Sequence, residues 1–197
     1  MLPHPMLVRT FLFAAALAVS STAFANLNIT EAEVLDTQQR WGDGIVRIGK
    51  VQADGGDYVR EALEHIEDLY DYGEGQVLFK PTLASTVPHR PTIGGALSYF
   101  VGYDSAIRFL GTMDEDERAS LKVYKEDGGF ATNPWTKVRF ENEGIVLYGT
   151  TAVAMGNYYF TDPSGVETKV HYTLGFVKRG DDVNIYVQES NLPFQPE

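Results

Sequence analysis

From Lys137 to Ser190 the hydrophobic period of this chain is two, and that stretch dictates what the remainder must do. Four runs of strand length, 137–148, 152–161, 167–178 and 183–190, are punctuated by Glu143-Gly144, Gly149, Asp162-Pro163-Ser164-Gly165 and Arg179-Gly180-Asp181-Asp182. Successive side chains of a strand point to opposite faces, so alternating runs bury one face and wet the other. Pro-Ser-Gly and Gly-Asp clusters supply the backbone conformations of tight hairpins, which makes consecutive strands antiparallel neighbours. Such a sheet is unstable unless something apolar covers its inner face.

The cover is encoded upstream. Residues 30–51 read as a helix that opens on a capping box, Thr30 with Glu33, and carries Val34, Trp41, Ile45 and Ile48 close to one face. Gly42 and Gly44 weaken its middle and allow a kink. Asp57 caps a second helix reaching about Tyr70, with Tyr58, Ala62, Ile66, Leu69 and Tyr70 at core-facing spacing and His65 beside them as a solvated or core-edge residue. Residues 76–79 form a short strand stopped by Lys80-Pro81-Thr82, since proline cannot donate to a ladder. Residues 92–101 read as a short helix carrying Ser98 and Tyr99. The charged run 114–125 is expected to be a surface helix or insertion. Helices first and antiparallel strands after make an α+β domain, with the helices packed on one face of a strongly curved sheet.

Composition narrows the chemistry. The apolar run Phe11-Leu12-Phe13-Ala14-Ala15-Ala16-Leu17-Ala18-Val19-Ser20, followed by Ala23-Phe24-Ala25, has the pattern of a secretory signal peptide over residues 1–25, leaving one domain over 26–197 and a periplasmic or secreted location. The formal net charge of −11 disfavours nucleic acid and anionic lipid as partners. The chain has no cysteine, so thiol nucleophiles and thiolate-bound zinc are excluded. Beyond the leader only His65, His89 and His171 remain, none at metal-ligand spacing, so no metal or cofactor is expected.

Several peptides, taken in order, resemble one family. They are Trp41-Gly42-Asp43-Gly44-Ile45-Val46, Val77-Leu78-Phe79-Lys80-Pro81-Thr82, Leu97-Ser98-Tyr99-Phe100-Val101-Gly102, Asn133-Pro134-Trp135 and Ala154-Met155-Gly156-Asn157-Tyr158. Together they are similar to the association-domain-like branch of the NTF2-like (SnoaL-like) superfamily, a cone-shaped fold that includes the iota-class carbonic anhydrases, some of which work without metal. The resemblance implies a pocket lined by Thr82, Tyr99 and Ser190 as catalytic hydroxyls, CO2 and bicarbonate as substrate and product, and a homodimer or higher homo-oligomer. Some relatives carry the label phosphoribosyl-AMP cyclohydrolase; that activity uses cysteine-ligated zinc, which this chain cannot provide.

The terminal motif departs from the family. Where relatives have His-His-Ser-Ser, this chain has Gln188-Glu189-Ser190-Asn191. Alternation puts Gln188 and Ser190 on one face and Glu189 on the other, so the inward side has hydrogen-bonding groups and no base. Gln188, Asn157 and Tyr172 are the candidate substrate-binding residues; Tyr172 shares a face with Phe176, and His171 faces the opposite way as a possible replacement base. Tyr158 and Phe160 are expected on the outer sheet face, where subunits would associate. The alternative to catalysis is a small-molecule-binding or oligomerisation domain that has lost the histidines.

Overall fold

The computed structural model describes residues 27–110 and 119–196. The proposed leader and the acidic run Asp114-Glu115-Asp116-Glu117 lie outside the described residues. The elements are α1 (Glu31–Ala53), α2 (Tyr58–Leu69), β1 (Leu78–Lys80), α3 (Ile93–Val101), α4 (Tyr103–Leu110), β2 (Lys137–Tyr148), β3 (Thr151–Thr161), β4 (Glu167–Arg179) and β5 (Asp182–Asn191). No described helix is long and apolar enough to cross a membrane.

Helix α1 begins where the capping box requires. The Glu33 N–H donates to Thr30 Oγ1 at 3.3 Å, and Glu33 Oε2 accepts from the Thr30 N–H at 2.8 Å. Such a cap is worth about 1 kcal/mol. Glu33 also binds the Lys178 ammonium at 2.6 Å, which ties the start of α1 to the end of β4. The helix runs without interruption through Gly42 and Gly44, so the glycines serve close approach rather than a kink. A Cβ at position 44 would lie 2.1 Å from His65 Nδ1. His65 is therefore a core residue, 2% exposed, instead of the solvated or core-edge histidine expected from its place beside the stripe. The missing side chain of Gly44 makes room for it.

Five strands form one sheet in the order β1-β5-β4-β3-β2. Strands β2 to β5 are antiparallel neighbours, as the hairpin turns require. Strand β1 pairs with β5 in parallel, so the sheet is mixed rather than wholly antiparallel. Parallel neighbours need a long crossover, and here the chain between β1 and β5 passes through α3, α4 and three other strands. Strand β5 has one edge occupied by β4; β1 takes the free edge, entering through an isolated parallel bridge between Tyr70 and Ile185. Two bulges bend the sheet, one at Glu143 in β2 and one at Tyr186 in β5, each an extra residue that its partner strand lacks. Opposite the first lies Gly156, where a Cβ would stand 2.2 Å from the Glu141 carbonyl oxygen.

The core between helices and sheet is strongly aromatic. Trp41 stacks on Tyr158 with centroids 5.6 Å apart and planes 2° apart, and Tyr158 in turn lies against Tyr172 at 5.2 Å and Phe160 at 4.9 Å. Tyr158 and Phe160 are buried, so they do not supply the outer face as expected. The exposed apolar side chains there are Val146, Val153 and Met155. The hairpin between β3 and β4 explains the difference: it sets Thr161 opposite Glu167, which puts Tyr158 on the same face as Val170 and Tyr172.

Candidate functional site

The parallel pairing of β1 with β5 creates the site. Its register sets Phe79 beside Gln188 and Lys80 beside Glu189, and the chain then turns at Pro81 so that Thr82 meets Ser190. The Thr82 hydroxyl donates to Ser190 Oγ at 2.9 Å. Lys80 locks this end of β5 by donating to Glu189 Oε1 and to the Ser190 carbonyl, both at 3.0 Å. Ser190 and Gln188 are 1% and 2% exposed, whereas Thr82 is partly exposed. The Thr82–Ser190 pair thus runs from the protein's interior to its surface.

A third hydroxyl completes the cluster. The Tyr158 phenol faces this pair, close enough that Ser190, Gln188 and Thr82 each act to lower its pKa. Burial is the dominant influence on its phenol and pushes its pKa up to about 12, so at neutral pH Tyr158 is a hydroxyl donor and not a phenolate. Gln188 Oε1 accepts from the Tyr70 hydroxyl, which itself accepts from Trp41 Nε1 at 2.8 Å. Burial raises the Tyr70 pKa well above its ordinary value, so this group also remains protonated. The wall of the cluster is therefore neutral, aromatic and rich in donors.

The other sequence candidates fall around this centre at different distances. Tyr99 is buried on α3 between Phe79 and Phe130, and its hydroxyl lies against the Leu83 backbone. Burial raises its pKa strongly. Tyr172 is opposite Ser190 in the ladder, but its hydroxyl turns toward Asn142 Oδ1 at 2.5 Å and accepts from Gln38 Nε2 at 3.2 Å. Gln38 and Asn142 exchange amide hydrogen bonds of 2.9 Å in both directions. Tyr172 thus belongs to a neighbouring polar cluster, joined to the first through its ring contact with Tyr158. Asn157 is not brought to the hydroxyls. It pairs with His171 on the outer face, where both line a shallow depression with Met155, Thr173 and Glu189. His171 therefore cannot act as a base for the cluster.

Sequence reasoning missed Tyr158, Tyr70 and Trp41 as site residues. Among the described residues no three His, Asp or Glu side chains converge as a metal-binding set. Glu189, the carboxylate adjacent to the motif serine, lies on the far side of β5 and is paired with Lys80.

Comparison with known proteins sets this geometry in a family. The model of the metal-independent carbonic anhydrase family matches residues 32–192, nearly all of the described chain. This chain belongs to the metal-independent carbonic anhydrase family. It is 39% identical over 180 residues to a metal-independent carbonic anhydrase of Nostoc sp. (strain PCC 7120 / SAG 25.82 / UTEX 2576), an alignment covering 88% of this chain and 78% of the relative. Among solved structures it resembles the iota-carbonic anhydrase from a cyanobacterium complexed with bicarbonate, with a TM-score of 0.77, 36% identity, and coverage of 90% of this chain and 100% of the other. A Xanthomonas campestris calcium/calmodulin dependent protein kinase II association domain shares the fold alone, with a TM-score of 0.51 at 18% identity, covering 96% of this chain and 99% of that one. The α+β class and the resemblance to iota-class carbonic anhydrases expected from the sequence therefore both hold, and the homology supports a carbonic anhydrase-like function.

Proposed function

We propose that this protein hydrates CO2 to bicarbonate at the Thr82–Ser190–Tyr158 cluster, using its own hydroxyls in place of a metal. The observation that carries this reading is the gathering of the Thr82, Ser190 and Tyr158 hydroxyls and the Gln188 amide among buried aromatic rings. CO2 is small and apolar and suits aromatic walls. Bicarbonate is an anion, and fixed donors aimed at the oxygen where charge develops lower the barrier most in a water-poor site.

The reaction balances as CO2 plus water giving bicarbonate plus a proton. The water oxygen bonds to carbon, one carbon–oxygen π pair moves onto oxygen, and the new oxyanion is held by the Tyr158 hydroxyl. The attacking water loses a proton. Serine and threonine hydroxyls both accept and donate, so the Thr82–Ser190 bond reverses for the relay: Ser190 takes the water's proton as its own passes to Thr82, and the Thr82 proton leaves to buffer at its partly exposed side. Stopped-flow CO2 hydration by chelator-treated protein tests the reading, with turnover that rises with buffer concentration as the expected result. A rate no greater than the buffer background overturns it.

A second reading rests on the altered tail. Gln188 is already engaged by Tyr70, and neither residue is a proton acceptor suited to neutral pH. On that reading the cluster binds bicarbonate without turning it over, and isotope-labelled bicarbonate would bind while hydration stayed at background. We also infer export, from the residues 1–25 leader pattern, and self-association through the outer sheet face bearing Val146, Val153 and Met155; light scattering checks the latter, a monomer removing it.

A further inference from the structure

The loop between β1 and α3 supplies the surface end of the cluster, and its own sequence does not explain why it keeps its shape. Residues 83–89 contain no regular structure and are mostly exposed. The loop is closed at its base by the Arg90 N–H donating to the Phe79 carbonyl at 2.8 Å. Its middle is gripped by one side chain from a different part of the chain. The Glu126 carboxylate accepts from the backbone N–H groups of Ser85 at 3.0 Å, Thr86 at 3.0 Å and Val87 at 2.9 Å, and from Ser85 Oγ at 2.7 Å. Those contacts hold the Glu126 carboxyl far down, at about 2, so it is ionised at every working pH. Hydrogen bonds to an ionised acceptor are the stronger kind.

The next residue continues the grip. Asp127 forms a fully buried ion pair with Arg90, whose guanidinium also donates to the Val87 carbonyl and lies over the Tyr124 ring at 4.3 Å. The Asp127 carbonyl accepts from the Tyr103 N–H at 3.0 Å, fixing the pair to the start of α4. Two adjacent acidic residues thus clamp the centre and the far end of a loop whose near end carries Thr82, in contact with Ser190, and Leu83, in contact with the Tyr99 hydroxyl.

We propose that Glu126 is a positioning residue for CO2 hydration, acting through Ser85, Thr86 and Val87 to hold Thr82 at Ser190 and the Leu83 backbone at Tyr99. This rests on the carbonic-anhydrase reading above. Glu126 touches no reacting atom. A small displacement of an oriented group costs up to about a hundredfold in rate, and the loop has no regular structure to resist one.

The test is a double-mutant cycle on the purified full chain, read by stopped-flow CO2 hydration and by hydrogen exchange over residues 82–90. Glu126→Ala is expected to lower kcat about tenfold with KM changed less than about twofold, the pattern of a lost transition-state interaction. Glu126→Gln, which keeps one carbonyl oxygen to accept from the loop, recovers most of that loss; Glu126→Met, which keeps the side chain's length and removes both acceptor oxygens, replaces the alanine variant if that one does not fold. In a Thr82→Val background, neither Glu126 substitution lowers kcat further, because residues acting as a unit are not additive. Faster exchange at residues 85–87 accompanies the loss. Additive effects, an unchanged kcat, or unchanged exchange at these amides each overturn the positioning role. An inactive wild type defeats the carbonic-anhydrase reading and the positioning role with it, whereas an active wild type with an indifferent Glu126→Ala defeats the positioning role only.

Discussion

Replacing His65 by leucine should remove most of the protein's sensitivity to mild acid. His65 is buried under α1 against Gly44, between the Trp41 and Phe100 rings, and Nε2 has no hydrogen-bond partner. Burial first, and the Arg47 and Arg40 charges second, lower its pKa from 6.5 to about 3. The unfolded chain therefore binds a proton below pH 6.5 that the folded chain refuses, so stability falls as pH falls from 6.5 toward 3. For that pair of values the loss is about 2 kcal/mol by pH 5 and about 3 kcal/mol by pH 4, at roughly 1.4 kcal/mol per unit in the steep region. The carboxylates held below their ordinary range, Glu33, Glu126, Asp162 and Glu167, lose their contribution only below about pH 4.5, and the buried Asp127 carboxyl, held above its ordinary range, adds stability as pH falls, so the loss between pH 6.5 and 5 belongs to His65. Urea unfolding at half-unit steps between pH 7.5 and 5 measures the slope. Leucine has nearly the volume of histidine and no titratable group, so the variant's stability should be flat over that window to within about 0.5 kcal/mol. A variant that loses stability with pH as steeply as the wild type refutes the assignment of the acid sensitivity to His65.

Tyr158→Phe deletes one hydroxyl and keeps the ring stack; it should lower kcat for CO2 hydration about a hundredfold, the scale of a lost oxyanion donor, and unchanged turnover would remove Tyr158 from the site. Thr30→Ala should lower unfolding stability by about 1 kcal/mol through loss of the α1 cap, without changing activity; chemical denaturation checks it. The exported form should begin at Asn26 when its N-terminus is sequenced, and a chain retaining Met1 would show that no leader is removed.

Much of the fold was readable because it is built from local signals that agree. Thr30 and Glu33 mark the start of α1, Asp57 caps α2, Thr92 caps α3, and the glycine-bearing turns delimit the four long strands almost to the residue. The parallel placement of β1 was not readable, because three residues of strand contain no record of which edge they will meet. That non-local pairing is also what brings Thr82 to Ser190, so their contact came from family resemblance and not from spacing. Alternation did fix the relative faces of Gln188, Glu189 and Ser190. It did not say which face of β3 turns inward. The signal for Tyr158 was nevertheless present: the Asp162-Pro163-Ser164-Gly165 turn sets Thr161 against Glu167, and counting back pairs Gly156 with Tyr172. Counting the register from that turn moves Tyr158 inward and Asn157 outward. His65 was misjudged because its burial depends on a glycine in another helix.

A crystal structure of the protein soaked in bicarbonate tests the central claim most directly. The account requires the anion to lie within hydrogen-bonding distance of the hydroxyls of Thr82, Ser190 and Tyr158. Bicarbonate bound instead in the outer-face depression beside His171 and Asn157, or hydroxyls that remain bonded only to one another at saturating bicarbonate, would contradict it.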